Sequence, residues 1–195
     1  RPEKPILIHP SKVPRRSLGK PEGRIALIHA VAHIEFNAIN LALDAACRFA
    51  EMPPEYYADW ISVAQDEARH FLLLSDRLEA LDAKYGDLPA HDGLWEAAQK
   101  TAHDVLARMA LVPRVLEARG LDVTPNMIEK LHSVGDAETV ACLEVILAEE
   151  VRHVAIGTRW FRYVCAERNL EPDATFFELL MQYYKKMPTG PFNWA

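Results

Sequence analysis

Apolar residues recur at three- to four-residue spacing along most of this 195-residue chain, as on one face of an α-helix. No segment alternates apolar and polar residues as a half-buried strand would. Proline and glycine divide the pattern into separate helices, because both residues interrupt helical backbone. The sequence therefore predicts an all-α fold, with helices over about residues 21–52, 54–86, 94–119, 124–134, 137–168 and 173–187.

A five-residue pattern of acid, Glu, any residue, Arg and His occurs twice, each time inside a predicted helix. The copies are Asp66–His70 and Glu149–His153. In each copy Glu and His are three residues apart, so a helix places both side chains on one face, with Cβ atoms about 5–6 Å apart. Chance gives about 0.7 bare Glu-x-x-His pairs in such a chain, but only about 0.01 complete copies. Two complete copies indicate a metal site, whereas the incomplete pair Glu129–His132 is interpreted as a coincidence.

A lone Glu precedes each motif on an apolar helix face: Glu35 lies 32 residues before Glu67, and Glu117 lies 33 residues before Glu150. Four-helix di-iron carboxylate proteins take one Glu from each of two helices and a Glu-x-x-His from each of the other two. One Glu on an apolar face is more often a surface charge, but four at matched spacing favour ligation. The predicted metal ligands are Glu35, Glu67, His70, Glu117, Glu150 and His153.

Four buried carboxylates are very costly unless they are protonated, paired or metal-bound, and two divalent cations would cancel their charge. We therefore expect the six side chains to converge within the bundle around two metals about 3.5–4 Å apart. In the metal-free protein, mutual repulsion is expected to raise the pKa values of the four carboxylates.

The acid and the Arg of each motif are predicted to form an outer hydrogen-bond layer, made of Asp66, Arg69, Glu149 and Arg152. A ligating His needs an acceptor on its other ring nitrogen, which fixes its tautomer. The sequence leaves open whether each acid serves its own His or the one across the bundle. The alternative is a pair of exposed salt bridges worth roughly a few tenths of a kcal/mol. Pro113, four residues before Glu117, is expected to kink its helix. The kink either opens a coordination position or re-aims Glu117, or it is tolerated without any effect on the site.

Composition agrees with a single helical domain that buries one core, since half of the residues are hydrophobic. The three cysteines, Cys47, Cys142 and Cys165, are scattered and odd in number, which favours a reducing compartment over a disulfide framework. No apolar run is expected to reach transmembrane length, and no signal peptide is evident. The predicted location is the cytoplasm.

The N-terminal segment differs from the rest in charge and in proline content. Residues 1–24 carry a net charge of +5, against −6 for the whole chain. We predict an extended, basic, Pro-rich arm over residues 1–20 and a helical bundle domain over 21–195. The arm is expected to wrap its own acidic bundle, with a partner subunit or nucleic acid as alternatives. The overall charge does not favour a large nucleic-acid face, although a tRNA ligand and a homodimer stay open.

The ligand pattern resembles the ferritin-like di-iron carboxylate superfamily, and longer stretches resemble one bacterial branch of it, a family defined as a domain of unknown function. These stretches are His33-Ile34-Glu35, Asp66 to Phe71, residues 89–95, Leu116 to Asp122 and His153 to Gly157. The resemblance spans nearly the whole chain. It implies a ferritin-like four-helix bundle with an extra short helix and a C-terminal helix.

The resemblance to the bacterial branch implies no activity, but the acid-Glu-x-Arg-His form of the motif is similar to that of oxygen-activating members of the superfamily, and the expected chemistry follows from the site. Two Fe ions, or a manganese or mixed Mn/Fe centre, would activate O2 to oxidise or hydroxylate a substrate that the sequence does not identify. A ferredoxin-type protein would supply electrons. The alternatives are a ferroxidase that handles iron without an organic substrate, and a protein in which the metal is structural.

Overall fold

The computed structural model describes residues 3–13 and 17–184, and these ranges are all-helical apart from one isolated bridge, Leu7–Ala90. An all-α fold is therefore confirmed for this part of the chain. The helices are α1 (Pro21–Arg48), α2 (Pro54–Glu79), α3 (Gly93–Lys100), α4 (Val105–Leu111), α5 (Ala118–Ser133), α6 (Ala137–Glu167) and α7 (Pro172–Tyr184), with a π-helical segment, Val112–Glu117, between α4 and α5, and a 3-10 turn, Pro10–Lys12, in the arm.

The first two helices begin where predicted but end earlier. Helix α1 ends at Arg48 and not at Met52, because a residue before proline disfavours helical backbone and the chain leaves the helix ahead of Pro53. Helix α2 ends at Glu79 and not at Gly86, because Asp82 adopts a left-handed φ of 57°. The Ala83 N–H then donates to the Leu78 carbonyl at 3.0 Å, which closes the helix end.

The predicted third helix, over residues 94–119, is wrong in two respects. It is interrupted at residues 101–104, where Asp104 caps α4 by accepting a hydrogen bond from the Leu106 N–H at 3.2 Å. Arg108, which is 1% exposed, stabilises this break between α3 and α4. Its guanidinium donates to the Thr101 hydroxyl at 2.9 Å and to the Ala98 carbonyl at 2.7 Å. The local spacing of apolar residues, on which the prediction rested, does not reveal side-chain contacts of this kind.

Helical backbone also continues beyond Gly120, where the sequence analysis placed an end. The π segment has a wider turn, in which the Ala118 N–H donates to the Pro113 carbonyl five residues back. The kink expected at Pro113 therefore takes the form of a π segment that accommodates a residue without an N–H. The short helix predicted over 124–134 is the second half of α5, with Pro125 inside it.

The long helices pack around a polar layer at mid-height. Helices α2 and α6 run antiparallel, since Arg69 contacts Glu149 at 2.5 Å near their middle and Arg159 contacts Asp59 at 3.1 Å towards one end. One apolar cluster lies beyond each side of this layer. The first includes Tyr56, Trp60, Met109, Trp160 and Phe161, and the second includes Ile28, Leu74, Leu78, Leu131 and Leu143.

The described part of the arm lies against its own chain, as expected. The Ile8 N–H donates to the Ala90 carbonyl at 2.8 Å, and the Ala90 N–H donates to the Ile6 carbonyl at 3.0 Å. The arm residues Arg1, Arg15 and Arg16, and the predicted end of the last helix at residues 185–187, lie outside the described residues.

Helix α1 contradicts the expectation that no apolar segment reaches the length of a membrane span. By length and composition alone it is apolar enough to cross a membrane, and it lies near the N-terminus. However, 56% of its most apolar window is buried inside the fold, as in the core helix of a helical domain.

Candidate metal centre

The six predicted ligands all come from the middle of the bundle. Glu35 comes from α1, Glu67 and His70 from α2, Glu117 from the last position of the π segment, and Glu150 and His153 from α6. The side chains of Glu67, His70 and His153 are fully buried, and Glu35 is 4% exposed. In contrast, Glu129 and His132 of the incomplete pair are exposed on α5, in agreement with their interpretation as a coincidence.

Glu67 lies between the two histidines and faces each with a different oxygen. Its Oε2 is 3.4 Å from His70 Nδ1, and its Oε1 is 3.0 Å from His153 Nδ1. Glu35 Oε2 lies 3.2 Å from His70 Nδ1, whereas Glu150 Oε1 lies 3.5 Å from His153 Nδ1. The site is therefore built from two halves, Glu35–His70 and Glu150–His153, that share one central carboxylate.

Four of the ligands already stand at chelating distance. One donor atom from each of Glu35, Glu67, His70 and Glu150 lies within 4.8 Å of the others. His153 joins this group through its contacts with Glu67 and Glu150. Glu117 stands further out: the residue is half-buried, and it is linked to the group by electrostatic coupling to Glu150 and Glu67.

Several buried donor atoms in this layer lack hydrogen bonds, which suits a site for cations. A buried polar atom without a partner costs free energy, and a carboxylate costs most. His153 Nδ1 is only 3.0 Å from Glu67 Oε1, yet the two do not have hydrogen-bond geometry. The buried atoms without hydrogen-bond partners here are Glu67 Oε1 and Oε2, Glu117 Oε2, Glu150 Oε2 and His153 Nδ1. Carboxylate oxygens and neutral imidazole nitrogens are the donor set of di-iron sites.

Three of the four carboxyl groups have a raised pKa, as the sequence analysis expected. Burial raises the pKa of Glu35 and Glu117 well above the usual range, and neighbouring carboxylates add to the effect. The pKa of Glu150 is also raised, mainly by burial. Glu67 contradicts the expectation: burial opposes its ionisation, but contacts with His153 and His70 outweigh that effect and lower its pKa.

The two histidines show why Glu67 behaves differently. Burial alone would lower the pKa of His70, but Glu35 and Glu67 raise it to about 10. Glu150 and Glu67 raise the pKa of His153 to about 11 in the same way. In the metal-free protein both imidazoles are therefore protonated at neutral pH, and protons supply the positive charge that metals would supply.

The outer layer is crossed between the two motifs, which answers the question that the sequence left open. Glu149 of the second motif accepts from His70 Nε2 at 2.7 Å, and Asp66 of the first accepts from His153 Nε2 at 3.1 Å. Arg69 contacts Glu149 at 2.5 Å and Asp66 at 2.9 Å, and Arg152 also donates to Asp66. Because each Nε2 is turned outward, each Nδ1 is turned toward the carboxylates.

The π segment positions Glu117 through contacts that sequence reasoning missed. Pro113 lies against Gly157 of α6, where a Cβ atom would come within 2.3 Å of the proline Cβ. Arg114 is held between two aromatic rings, 4.5 Å from the Phe161 centroid and 4.0 Å from that of Phe176. The available signal was Gly157 inside a long helix, three residues before Trp160, but the sequence did not predict its partner Pro113.

Two cavities of about 210 and 310 Å³ lie beneath the N-terminal arm, and no predicted ligand lines either of them. The larger one includes Phe36, which follows Glu35 in sequence and packs on Phe71 with ring centroids 5.6 Å apart. Phe71 in turn follows His70. This pair of aromatic rings lies beside the larger cavity.

The chain can be placed by comparison with known proteins. The sequence profile described as "Protein of unknown function (DUF455)" matches residues 1–195. An uncharacterised protein of Haemophilus influenzae (strain ATCC 51907 / DSM 11121 / KW20 / Rd) is 50% identical over 199 residues, which cover 98% of this chain and 69% of that relative. No solved structure matches the chain significantly. The chain therefore belongs to the DUF455 family.

Proposed function

We propose that this protein holds a dinuclear metal centre, most simply two Fe ions, and uses it to oxidise or hydroxylate a substrate with O2. One observation carries the proposal. Glu67 is fully buried between two imidazole Nδ1 atoms, with a different oxygen toward each and an additional Glu beside each imidazole. When bound, two Fe(II) ions supply electrons and open coordination positions for O2.

The chain's own residues have distinct roles in this proposal. Glu67 would hold metal together with Glu35 and His70 on one side and with Glu150 and His153 on the other. Glu149 and Asp66 accept from the outward Nε2 atoms, and so keep the Nδ1 lone pairs available for metal. The apolar clusters on both sides exclude water from the layer.

A ferritin-like arrangement is the finer form of the fold that we propose. Four segments line the site, namely α1, α2, the π segment and α6, and each contributes one Glu. Helices α2 and α6 also contribute the His of a Glu-x-x-His pair. This division of ligands is the one found in ferritin-like carboxylate proteins.

A catalytic site accounts for the ligand set better than a structural one. Structural metal sites fill every coordination position with protein atoms, whereas catalytic sites keep one open. Glu117 stands outside the chelating group, next to the shared Glu67–Glu150 side. That side is where O2 and a substrate would enter. The proposed partners are O2 and a ferredoxin-type electron donor, and the proposed location is the cytoplasm.

The experiment is metal analysis followed by controlled oxidation. Freshly purified protein is expected to contain about two metals per chain, mostly iron, by elemental analysis. After anaerobic Fe(II) loading, admitted O2 should oxidise that iron and then stop. Glu67→Ala should abolish uptake, whereas Glu129→Ala, in the exposed incomplete motif, should leave it unchanged.

Each other outcome has a definite meaning. Continued iron oxidation far beyond the capacity of the site would favour the ferroxidase. Stoichiometric zinc that resists exchange would favour a structural role. Wild-type protein that takes up no metal under anaerobic conditions would overturn the proposal.

A further inference from the structure

Four aromatic side chains form a continuous network at one end of the metal layer. Tyr56 is central, with its ring centroid 6.2 Å from that of Trp60 and 5.2 Å from that of Trp160. Tyr163 extends the network, 5.4 Å from Trp160. Tyr56, Trp60 and Trp160 are at most 2% exposed. Indole and phenol rings are the side chains that lose single electrons most readily, so such a network can carry charge.

The network reaches the metal layer along two helices at once. Trp60 lies seven residues before Glu67 on α2, and Trp160 lies seven residues after His153 on α6. Seven residues of helix rise about 10.5 Å. Because α2 and α6 are antiparallel, both indoles stand beyond the same end of the site.

The other end of the network reaches the protein surface. Trp160 Nε1 donates to Asp59 Oδ2 at 2.8 Å, and Arg159 pairs with the same oxygen at 3.1 Å. The Arg159 guanidinium also lies 4.7 Å from the Trp160 ring centroid, and its side chain is 58% exposed. A buried oxidisable ring is thus only one side chain away from solvent.

The two indoles differ in what happens to their N–H proton. Removing an electron from an indole makes its N–H strongly acidic, so the oxidised ring is trapped wherever a base accepts that proton. Asp59 is such a base for Trp160. Trp60 Nε1 makes no hydrogen bond to a carboxylate among the described residues; its polar neighbour is the weakly basic Tyr56 phenol, which itself donates to the Ala45 carbonyl at 3.2 Å. When one electron is removed from this network, the resulting radical is therefore trapped on Trp160.

We propose that Tyr56, Trp60, Trp160 and Tyr163 carry single electrons between the protein surface at Asp59–Arg159 and the buried centre. This inference rests on the proposed function. With an oxidised metal centre bound, the Trp160 indole would give up one electron to it, while the Nε1–H bond breaks and the proton moves to Asp59. A one-electron donor of the small redox-protein class then returns the electron, and Asp59 returns the proton. The net change is one electron passed from donor to centre.

The network can be tested in metal-free protein, independently of the metal centre. Exposed Cys47 is a native attachment point near Ala45, whose carbonyl accepts from the Tyr56 hydroxyl at 3.2 Å. A thiol-reactive ruthenium photo-oxidant is attached there in a Cys142→Ser background, and transient absorption follows a flash with an electron-accepting quencher. The neutral indole radical is expected to appear.

Variants then locate the radical. Trp160→Phe is expected to abolish the neutral indole radical signal and Trp160→Tyr to replace it with a tyrosyl signal. Asp59→Asn is expected to convert the neutral radical to a shorter-lived radical cation. Trp95→Phe, on α3 and outside the network, is the matched control and should leave the signal unchanged. A full signal in Trp160→Phe, with folding confirmed by circular dichroism, would overturn the proposal.

A second measurement joins the network to the centre. After Fe(II) loading and exposure to O2 without a donor, peptide mass spectrometry should find oxygen addition concentrated on Trp160 and Tyr163, and reduced in the Asp59→Asn variant. Oxidation spread evenly over exposed residues would contradict the connection. Failure of iron uptake would defeat the proposed function, while the flash experiment would still decide whether the network carries charge.

Discussion

The Glu35–His70 half of the candidate centre and the Glu150–His153 half, which Glu117 accompanies, differ in how their ligands are supported. Glu35 and His70 stand on regular helical backbone in α1 and α2 and contact each other at 3.2 Å. Glu117 ends a π segment, and its Oε2 has no hydrogen-bond partner among the described residues. The Glu35–His70 half therefore has a direct contact between its ligands without metal, while the other half is accompanied by Glu117, whose Oε2 has no such contact among the described residues.

This difference indicates that the two copies of the ligand pattern can have different roles in the centre. A regular hairpin fixes a metal position, because its ligands lose little freedom on binding. A π turn is a single inserted residue in a helix, and such turns are frequent at functional sites. We therefore assign metal retention to the α1–α2 half and ligand rearrangement to the Glu117 side.

The largest difference between the halves is expected when one Glu is removed from each of them in separate variants. Glu35→Ala should lower saturated metal content from about two to about one per chain, because His70 loses the carboxylate that contacts its Nδ1 at 3.2 Å. Glu117→Ala should keep both metals at saturation and weaken only the second. Elemental analysis after gel filtration measures both. Equal losses in the two variants would show that the halves are equivalent.

The crossed outer layer allows the halves to be weakened separately. Asp66→Ala removes the acceptor of His153, and Glu149→Ala removes that of His70. Each should weaken one metal position about 10–100-fold, and not the same one. Isothermal titration of each variant resolves the two sites. Asp76→Ala, at an exposed position of α2, is the control, and unchanged affinity in Asp66→Ala would favour the simple salt-bridge interpretation.

The π segment can be disturbed without touching a ligand. Gly157→Ala would put a Cβ atom 2.3 Å from Pro113 Cβ and 2.4 Å from its Cγ, so the two helices must separate. Overpacking of this kind costs about 1–3 kcal/mol. Gly120→Ala is the matched control, since nothing lies within 4 Å of its added Cβ and α5 should gain about 0.4–1 kcal/mol. Urea unfolding measures both, and similar free energies of unfolding would contradict a tight Pro113–Gly157 contact.

The sequence predicted the ligand layer better than the helices that carry it. Spacing within α2 and α6 and the repeated 32–33-residue interval are local properties, so periodicity captured them. The division of residues 94–133 was not local. It depends on Arg108 contacting Ala98 and Thr101, and on Gly157 admitting Pro113 from another helix.

The sequence also could not predict that each His of the site donates to the acid of the other motif. Asp66 is four residues from His70 and 87 from His153, and spacing alone would favour the nearer partner. The antiparallel contact between α2 and α6 brings the distant pair together instead. Similarly, the lowered pKa of Glu67 follows from its place between two imidazoles, and not from the number of carboxylates.

The smallest effect expected is on thermal stability, and its sign follows from the pKa directions. Glu35, Glu117 and Glu150 have folded pKa values above their unfolded ones, so they destabilise the metal-free protein at neutral pH, and this cost falls as the pH drops toward 5. The histidine contribution is fully present below the unfolded pKa and is lost only as the pH rises through about 10 for His70 and about 11 for His153. Acidification from pH 7 to 5 therefore stabilises the metal-free fold in both respects.

Metal-loaded protein should respond in the opposite direction, because protons compete with metals for the same carboxylates and imidazoles. Its melting temperature at pH 7 should exceed that of the metal-free protein, and the gap should narrow toward pH 5. The Glu35→Ala variant should show a smaller gap than Glu117→Ala, since it loses the half that holds metal without rearrangement. Scanning calorimetry of the wild type and both variants at matched ionic strength, with and without Fe(II) under anaerobic conditions, gives these melting temperatures. Equal melting temperatures of loaded and metal-free wild type at pH 7 would exclude a buried dinuclear site, and equal gaps in the two variants would remove the distinction between the halves.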